Sequence, residues 1–376
     1  MRLIFKILIG LGVVVVAAAA ITVGVVFSRS SDTATSCTLT GNSIDELDTI
    51  KSSCNDIVIE DLVVPAGRTL DLTGLSDTSI TFRGNISFGY AEWKGPLVLI
   101  SGTNINITGE AGHVLDGQGA RWWDTLGANG GVQKPRFFKT RYLYNGVVTN
   151  LNFLNSPRHC FAIHNCTNIT VNNIVMNTRD GDTQGGHNTD AINVKGSENV
   201  YISDTTVYNQ DDCLAVRSGK NIHFTRAFCS GGHGISIGSV GNRTNNVVED
   251  VYITDSTVVD SENGVRIKTV VNATGLVSGV TYDNITLRNI TDFGILMRGD
   301  YMNVPGPTGT PGNGVPILNV TITNVRGTVQ AGGTNIFILL GEGVAQNWYW
   351  NNINVTGGEI NLTCQGVPPN SGAFCA

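Results

Sequence analysis

From about residue 80 to residue 360 the chain repeats one short theme: NINITGE, NITVNNIVM, NVYISDTTV, NIHFTRAFC, DVYITDSTV, GVTYDNITL and ILNVTITNV. Each run is rich in β-branched residues and alternates apolar with polar, the pattern of a strand with one buried face. Asn168, Asn199 and Asn221 open three of them, at steps of 31 and 22 residues. Recurrence at that length without helical periodicity predicts an all-β, single-domain solenoid, and strands with Gly and Asn at their corners favour a right-handed parallel β-helix. A β-sandwich is the alternative, but it needs hairpin turns between consecutive strands. The Asn-Gly pairs at 145–146, 263–264 and 313–314 are too few. With 46 glycines and only 14% charged residues, the composition suits strands and tight turns.

A solenoid must cover the strand edges at its two ends. SIDELDTIKSSC, residues 43–54, offers a short N-terminal capping helix: Ser43 and Glu46 form a capping box ahead of the spaced apolar Leu47 and Ile50. The loop between Cys364 and Cys375 is a candidate for the other end. Nothing resembles a linker, so residues 37–376 are expected to be one domain. Before them, residues 7–27 are unbroken apolar after Arg2 and Lys6. Residues 1–28 are read as a cleaved secretory signal, with an uncleaved signal anchor as the alternative. Either places the domain outside the cytosol. All eight cysteines follow this segment. An even count in an exported chain predicts disulfides, and although 105 pairings exist, nearest neighbours give Cys37–Cys54, Cys160–Cys166, Cys213–Cys229 and Cys364–Cys375. Glycosylation sequons are numerous, and several from 165 to 289 read as structural asparagines in turns. A net charge of −6 excludes a nucleic-acid binder, which needs a basic face.

Four segments concentrate the polar chemistry: GDTQGGHNTDA (181–191), NQDDCLA (209–215), GGHGISIGSVG (231–241) and VRIKT (265–269). Asp190 to Asp211 is 21 residues, Asp211 to His233 is 22, and His233 to Arg266 is 33. Residues one coil apart sit about one strand separation, ~4.8 Å, from each other, so the acids, the imidazole and the guanidinium can share one face. Cleaving a sugar acetal with inversion needs a protonated carboxyl for the leaving oxygen and a carboxylate to deprotonate water. Crowded carboxylates raise at least one pKa, which explains the adjacent Asp211 and Asp212, provided a bulge or bend turns both to one side. The Asp and His groups lack the ligand density of a Ca²⁺ site, so no metal or other cofactor is expected. Trp122 and Trp123, far from these motifs, are expected in the core.

These motifs, in this order and at this spacing, closely resemble the fungal-type endo-polygalacturonases of glycoside hydrolase family 28, whose signatures are Asn-Thr-Asp, Asp-Asp, Gly-His-Gly and Arg-Ile-Lys. The likeness runs from about Cys37 to the C-terminus and includes VPAGRTLDLTGL, GARWWD and KPRFF. It implies that Asp211 is the general acid, that Asp190 and Asp212 activate water, and that His233 supports their proton balance. It further implies that Asn188, Arg266, Lys268 and Tyr301 contact substrate. The partner implied is polygalacturonan, with polygalacturonase-inhibiting proteins as a further family partner; the domain is expected to be a monomer with no membrane partner.

The sequence also departs from the family. Asn193 stands where an acid is usual, Arg298 and Gly299 replace two glutamines, and Cys160 and Cys166 are additional. No catalytic carboxylate is lost. The competing readings are an exo-acting or rhamnogalacturonan-type pectin hydrolase, a β-helix lyase, in which three aspartates and Gly-His-Gly would have no role, and a non-catalytic pectin binder.

Overall fold

The alternating runs form strands whose β-branched members point to one side and pack, while their polar neighbours point out. The computed structural model describes residues 36–302, 304 and 306–376; the apolar segment expected to be a signal or anchor lies outside them. Among the described residues the chain is all-β and the strand pairings are parallel. The only α-helices among the described residues are Leu47–Ser53 (α1) and the single turn Gly181–Gln184 (α2). None is long and apolar enough to cross a membrane.

One ladder of strands positions the polar motifs: β1 (Phe138–Thr149), β2 (Phe161–His164), β3 (Ile192–Tyr208), β4 (Leu214–Thr225), β5 (Ile235–Val240), β6 (Asn263–Val270), β7 (Phe293–Tyr301) and β8 (Thr334–Leu339). Each pairs with the next through its N-terminal part. The register aligns Ile163, Val194, Val216, Ile237, Ile267, Met297 and Ile338 in one fully buried row. Burying such a side chain is worth about 1.5–3 kcal/mol. The adjacent row points outward and reads Lys139, Ala162, Asn193, Ala215, Ser236, Arg266 and Leu296.

β3 spans 17 residues because it rounds corners rather than running straight. Gly196, Asn199 and Asp204 all have positive φ there. Asn is the common non-glycine choice for that conformation, and its amide serves a second purpose. The Nδ2 of Asn145, Asn168, Asn199 and Asn221 each donates to the Oδ1 of the corner asparagine before it, at 2.8–3.0 Å, from Asn104 onward. The opening asparagines of the sequence repeat are these corners, so the Asn168 sequon is structural. Asn284 and Asn289 likewise donate to Asp255 and Asp260.

At the N-terminal end α1 buries Leu47 and Ile50 and is tied by Cys37–Cys54. The capping box does not form: Ser43 turns its hydroxyl back to the carbonyl of Thr40, and Glu46 precedes the helix without a side-chain cap. A tight 3-10 turn over Ile44–Glu46 intervenes and removes the capping geometry. At the other end the segment closed by Cys364–Cys375 bonds along the edge of β8, with Gln365 on Ile338 and Ala376 on Ile336. Trp122 and Trp123 are buried, as expected, with their ring N–H groups on the carbonyls of Ala91 and Ser156.

Cys213–Cys229 forms, but the expected Cys160–Cys166 bridge does not; both are free, buried thiols. They flank β2 at opposite ends, and an extended strand of that length holds its ends beyond the reach of a disulfide. Thiol titration should therefore find two reactive thiols per chain after unfolding and essentially none before; zero after unfolding would restore the fourth bridge.

Candidate active site

The residues just before β3, β4 and β5, together with Ser236 on β5 and Arg266 and Lys268 on β6, carry the site. Ile192 pairs with Leu214 and Leu214 with Ile235, so Asp190, Asp212 and His233 stand side by side. Ile235 pairs with Val265, a step of 30, which puts Arg266 beside Ser236 rather than beside His233. Asp211 and Asp212 face the same region through a bend, not a bulge. Asn209 ties that bend, its Nδ2 donating to the carbonyls of Thr189, Asp211 and Asp212 at 3.0–3.1 Å. The backbone N–H of Asp212 donates to the Asp211 carboxylate at 2.6 Å. The glycines around His233 exist for backbone contact rather than ligand access: a Cβ at Gly232 would lie 2.0 Å from the carbonyl of Asp211, and one at Gly234 2.0 Å from that of Asn263.

The three carboxylates have three different environments. Asp212 is buried and accepts from Arg266 at 2.6 Å, Lys268 at 2.9 Å and Ser236 at 2.7 Å. Burial works against its charge, but the Lys268 and Arg266 cations hold its pKa below the ordinary value. Asp211 lies 3.0 Å from Nδ1 of His233 and accepts from Asn188 at 2.7 Å. Burial again opposes ionisation, and the charge and hydrogen bond of His233 outweigh it, holding Asp211 well below the carboxylate range. In return His233, against burial, is raised to about 10 by Asp211 and by Glu262, 3.2 Å from its Nε2. Asp190 is the group whose pKa goes up, to about 7, by burial and then by the Asp211 charge, against the pull of Arg217. The protonated carboxyl that crowding predicts is thus Asp190 in the free site, while Asp211 shares a proton with His233.

Asn188, Arg266 and Lys268, expected on substrate, are spent on the acids themselves; Asn188 also accepts from the backbone N–H of Ala128 at 2.8 Å. Tyr301 presents its ring 5.3 Å from Nζ of Lys268. Arg298 grips Asp300 at 2.8 and 3.1 Å. The motifs alone miss four further groups: Ser236, Glu262, His159 and Arg217. His159 Nε2 lies 3.3 Å from Oδ1 of Asp190, and Arg217 donates to its Oδ2 at 3.2 Å. Burial and the charges of Arg217, Arg158 and Arg136 keep His159 neutral. Its contact lacks hydrogen-bond geometry, which leaves Oδ1 of Asp190 buried without a partner.

Asp211, Asp212 and His233 bring ligand-type atoms within 4.8 Å of one another. The donor set nevertheless does not suit a metal. The carboxylate oxygens are occupied by hydrogen-bond donors, and two fixed cations on Asp212 oppose a third positive charge.

The raised pKa of Asp190 has a consequence for stability. Between its ordinary pKa and about 7 the folded chain retains a proton that the unfolded chain has released, so stability from this group is lost as pH rises. Asp190→Asn should be more stable than the unaltered chain near pH 7, with the gap closing toward about pH 4, as read by denaturant unfolding. A gap that does not change with pH would contradict the raised value.

With this geometry in hand, comparison with known proteins is specific. The Glycosyl hydrolases family 28 pattern matches residues 54–375. A polygalacturonase of Penicillium griseoroseum is 51% identical over 342 residues, covering 90% of this chain and 90% of that protein. Endopolygalacturonase 1 of Colletotrichum lindemuthianum is 50% identical over 326 residues, 86% of this chain and 89% of that protein. Among solved structures, endopolygalacturonase I from Stereum purpureum, complexed with two galacturonates, superposes with a TM-score of 0.78 at 37% identity, over 85% of this chain and 95% of that one. The chain belongs to glycosyl hydrolase family 28.

Proposed function

We propose that the chain is an endo-acting polygalacturonase that hydrolyses α-1,4-galacturonosyl linkages of de-esterified pectin with inversion. The observation that carries this reading is the set of three carboxylates on neighbouring strands, each with a different charge partner: His233 on Asp211, Arg266 with Lys268 on Asp212, and Arg217 on a partly unsatisfied Asp190. Asp211 is the general acid. The Asp211–His233 pair holds one proton across 3.0 Å, and negative charge growing on the leaving oxygen draws it through Asp211. Asp212, pinned ionised, and Asp190, with one free oxygen, orient and deprotonate the attacking water. Lys268, Arg266 and Tyr301 then form the wall against which a uronate carboxylate of the substrate sits, the two cations being shared between that carboxylate and Asp212.

The parallel ladders are read as a right-handed β-helix forming one domain, residues 37–376, that works as a monomer. Three disulfides and the apolar leader support export from the cytosol, with residues 1–28 removed or kept as an anchor.

Asp211→Asn tests the assignment of the acid. Its kcat on polygalacturonate should fall by about 10²–10⁴-fold, the usual worth of general acid catalysis, while the thermal unfolding transition persists. In the unaltered protein viscosity should drop ahead of reducing-end release, and an added chelator should change neither. Near-normal activity of Asp211→Asn, or an ultraviolet-absorbing unsaturated product, would overturn the hydrolytic reading.

A further inference from the structure

The segment 124–134, DTLGANGGVQK, follows the buried Trp123 and has almost no apolar anchor of its own. Leu126 is 47% exposed, and Asn129, Gly130, Gly131 and Gln133 face solvent. One ion pair shapes the loop instead. Nζ of the buried Lys134 donates to Oδ2 of Asp124 at 2.7 Å and to the carbonyls of Val132 at 3.0 Å and Gly130 at 3.3 Å. The Asp124 carboxylate also accepts from the backbone N–H groups of Leu126 at 3.0 Å and Val132 at 3.2 Å. A Cβ at Gly131 would strike Oδ2 of Asp124, so the loop closes around that oxygen only with glycine there. A lysine head is seldom buried, because the ammonium must give up water; here its N–H groups are spent inside one loop.

What the loop is held against is the segment that carries Asn188 and Asp190. Among the described residues its hydrogen bonds to other segments are two: the N–H of Thr125 donates to the carbonyl of Gly185 at 3.0 Å, and that of Ala128 to Oδ1 of Asn188 at 2.8 Å. Between them, a Cβ at Gly127 would lie 2.5 Å from Oδ1 of Asn188 and 2.7 Å from the carbonyl of His187. Thr125 has a φ of 68°, a costly conformation for a β-branched residue that persists only where its surroundings impose it. An asparagine amide has an acceptor end and a donor end. Ala128 takes the acceptor end, which leaves Nδ2 aimed at Oδ2 of Asp211, 2.7 Å away. Oδ1 of Asp211 faces His233 and the N–H of Asp212. Among the described residues Asn188 is the only hydrogen-bond donor to the remaining oxygen, so it fixes the plane of the carboxyl.

We propose that Lys134 and Asp124 are positioning residues for Asp211: their ion pair folds the loop so that the Ala128 N–H orients Asn188, and Asn188 holds the carboxyl that protonates the leaving oxygen. This inference rests on the polygalacturonase reading and deepens it. A carboxyl free to turn about its Cβ–Cγ bond loses the alignment that proton transfer needs, and a misplacement of about 1 Å costs on the order of 10²-fold in rate. Such rotation leaves the cations and the tyrosine ring that face the substrate where they are, so the loss falls on kcat. A loop that only stabilised the fold would lower the unfolding temperature, and any effect on turnover would not depend on Asn188.

The test is a double-mutant cycle on polygalacturonate. Lys134→Met keeps the buried stem and removes the ammonium; Gly127→Ala leaves the ion pair intact and pushes the loop off Asn188. Each should lower kcat about tenfold, with KM changed less than about threefold. In an Asn188→Ala background the same substitutions should lower kcat less than about twofold further, because the link they break is already gone. Unchanged kcat in both variants, a loss confined to KM, or the same tenfold loss with and without Asn188 would overturn the proposal. Thermal unfolding checks that each variant is folded, and Gly127→Ala carries the cycle alone should Lys134→Met not fold. Hydrogen exchange read by mass spectrometry reports the grip of the loop without turnover. In both variants exchange within residues 185–190 should quicken about tenfold, and no change there would again overturn the link. Absence of reducing-end release from the unaltered chain would instead sink the hydrolytic reading, and the exchange response would still decide whether the loop holds Asn188.

Discussion

Parallel hydrogen bonding in a fixed register is what turns scattered residues into a site in this chain. Each pairing sets side chains about 4.8 Å apart, so that Asp190, Asp212 and His233, separated by more than twenty residues each, become neighbours. The same register is enforced by the core. A slip of one residue would carry Ile163, Val194, Val216 and Ile237 to the outside and drive Asn193, Ser236 and Arg266 inward. The apolar rows therefore stabilise the fold and set the geometry of the candidate site through one constraint. Glycines at 232 and 234 let backbone segments approach closely enough for the register to continue through the turns.

Three carboxylates in one place would repel, and the structure handles each differently. Asp212 is neutralised outright by two cations, which makes it a fixed negative end of an ion triad. Asp211 shares a proton with His233, itself braced by Glu262. Asp190 receives only Arg217 and the neutral edge of His159, so the cost of burial falls on it and appears as a pKa of about 7. Environments that push neighbouring acids apart in pKa are how acid and base roles are divided within one site. Asp190 is a standing cost to stability, of the kind expected where groups are held for reaction rather than for folding.

Much of this was legible in the sequence, and the failures have physical causes. Asn168, Asn199 and Asn221 marked the corners because only a few residue types accept positive φ, and three of four nearest-neighbour cysteine pairs formed because the chain turns back between them, for Cys213 and Cys229 at the corners Gly219, Asn221 and Arg226. Cys160 and Cys166 failed because a strand, not a loop, lies between them. The step of 33 from His233 to Arg266 was misleading, since the loop 241–246 that follows β5 lengthens the repeat and the true partner of Arg266 is Ser236. His159, Arg217 and Glu262 carried no motif; their roles depend on which strand stands next to which, and spacing measured between motifs cannot show that. Ser236 lay inside the quoted stretch GGHGISIGSVG, but its hydroxyl became informative only once Asp212 and Arg266 were seen to share it.

An acidic protein that binds a polyanion poses an apparent conflict, and screening resolves it. At physiological ionic strength, charges more than about 8 Å apart are largely hidden from one another in solvent, so the net charge governs solubility while the groove is governed by what lies within a few strand steps. There the strands carry Lys139, Arg141, Lys195, Arg217, Arg266 and Lys268, and the acids Asp190 and Asp212 are either paired with cations or hold protons. Focusing positive potential into one partly buried stripe, with acids spread over the exposed remainder, yields steering and grip without a basic protein.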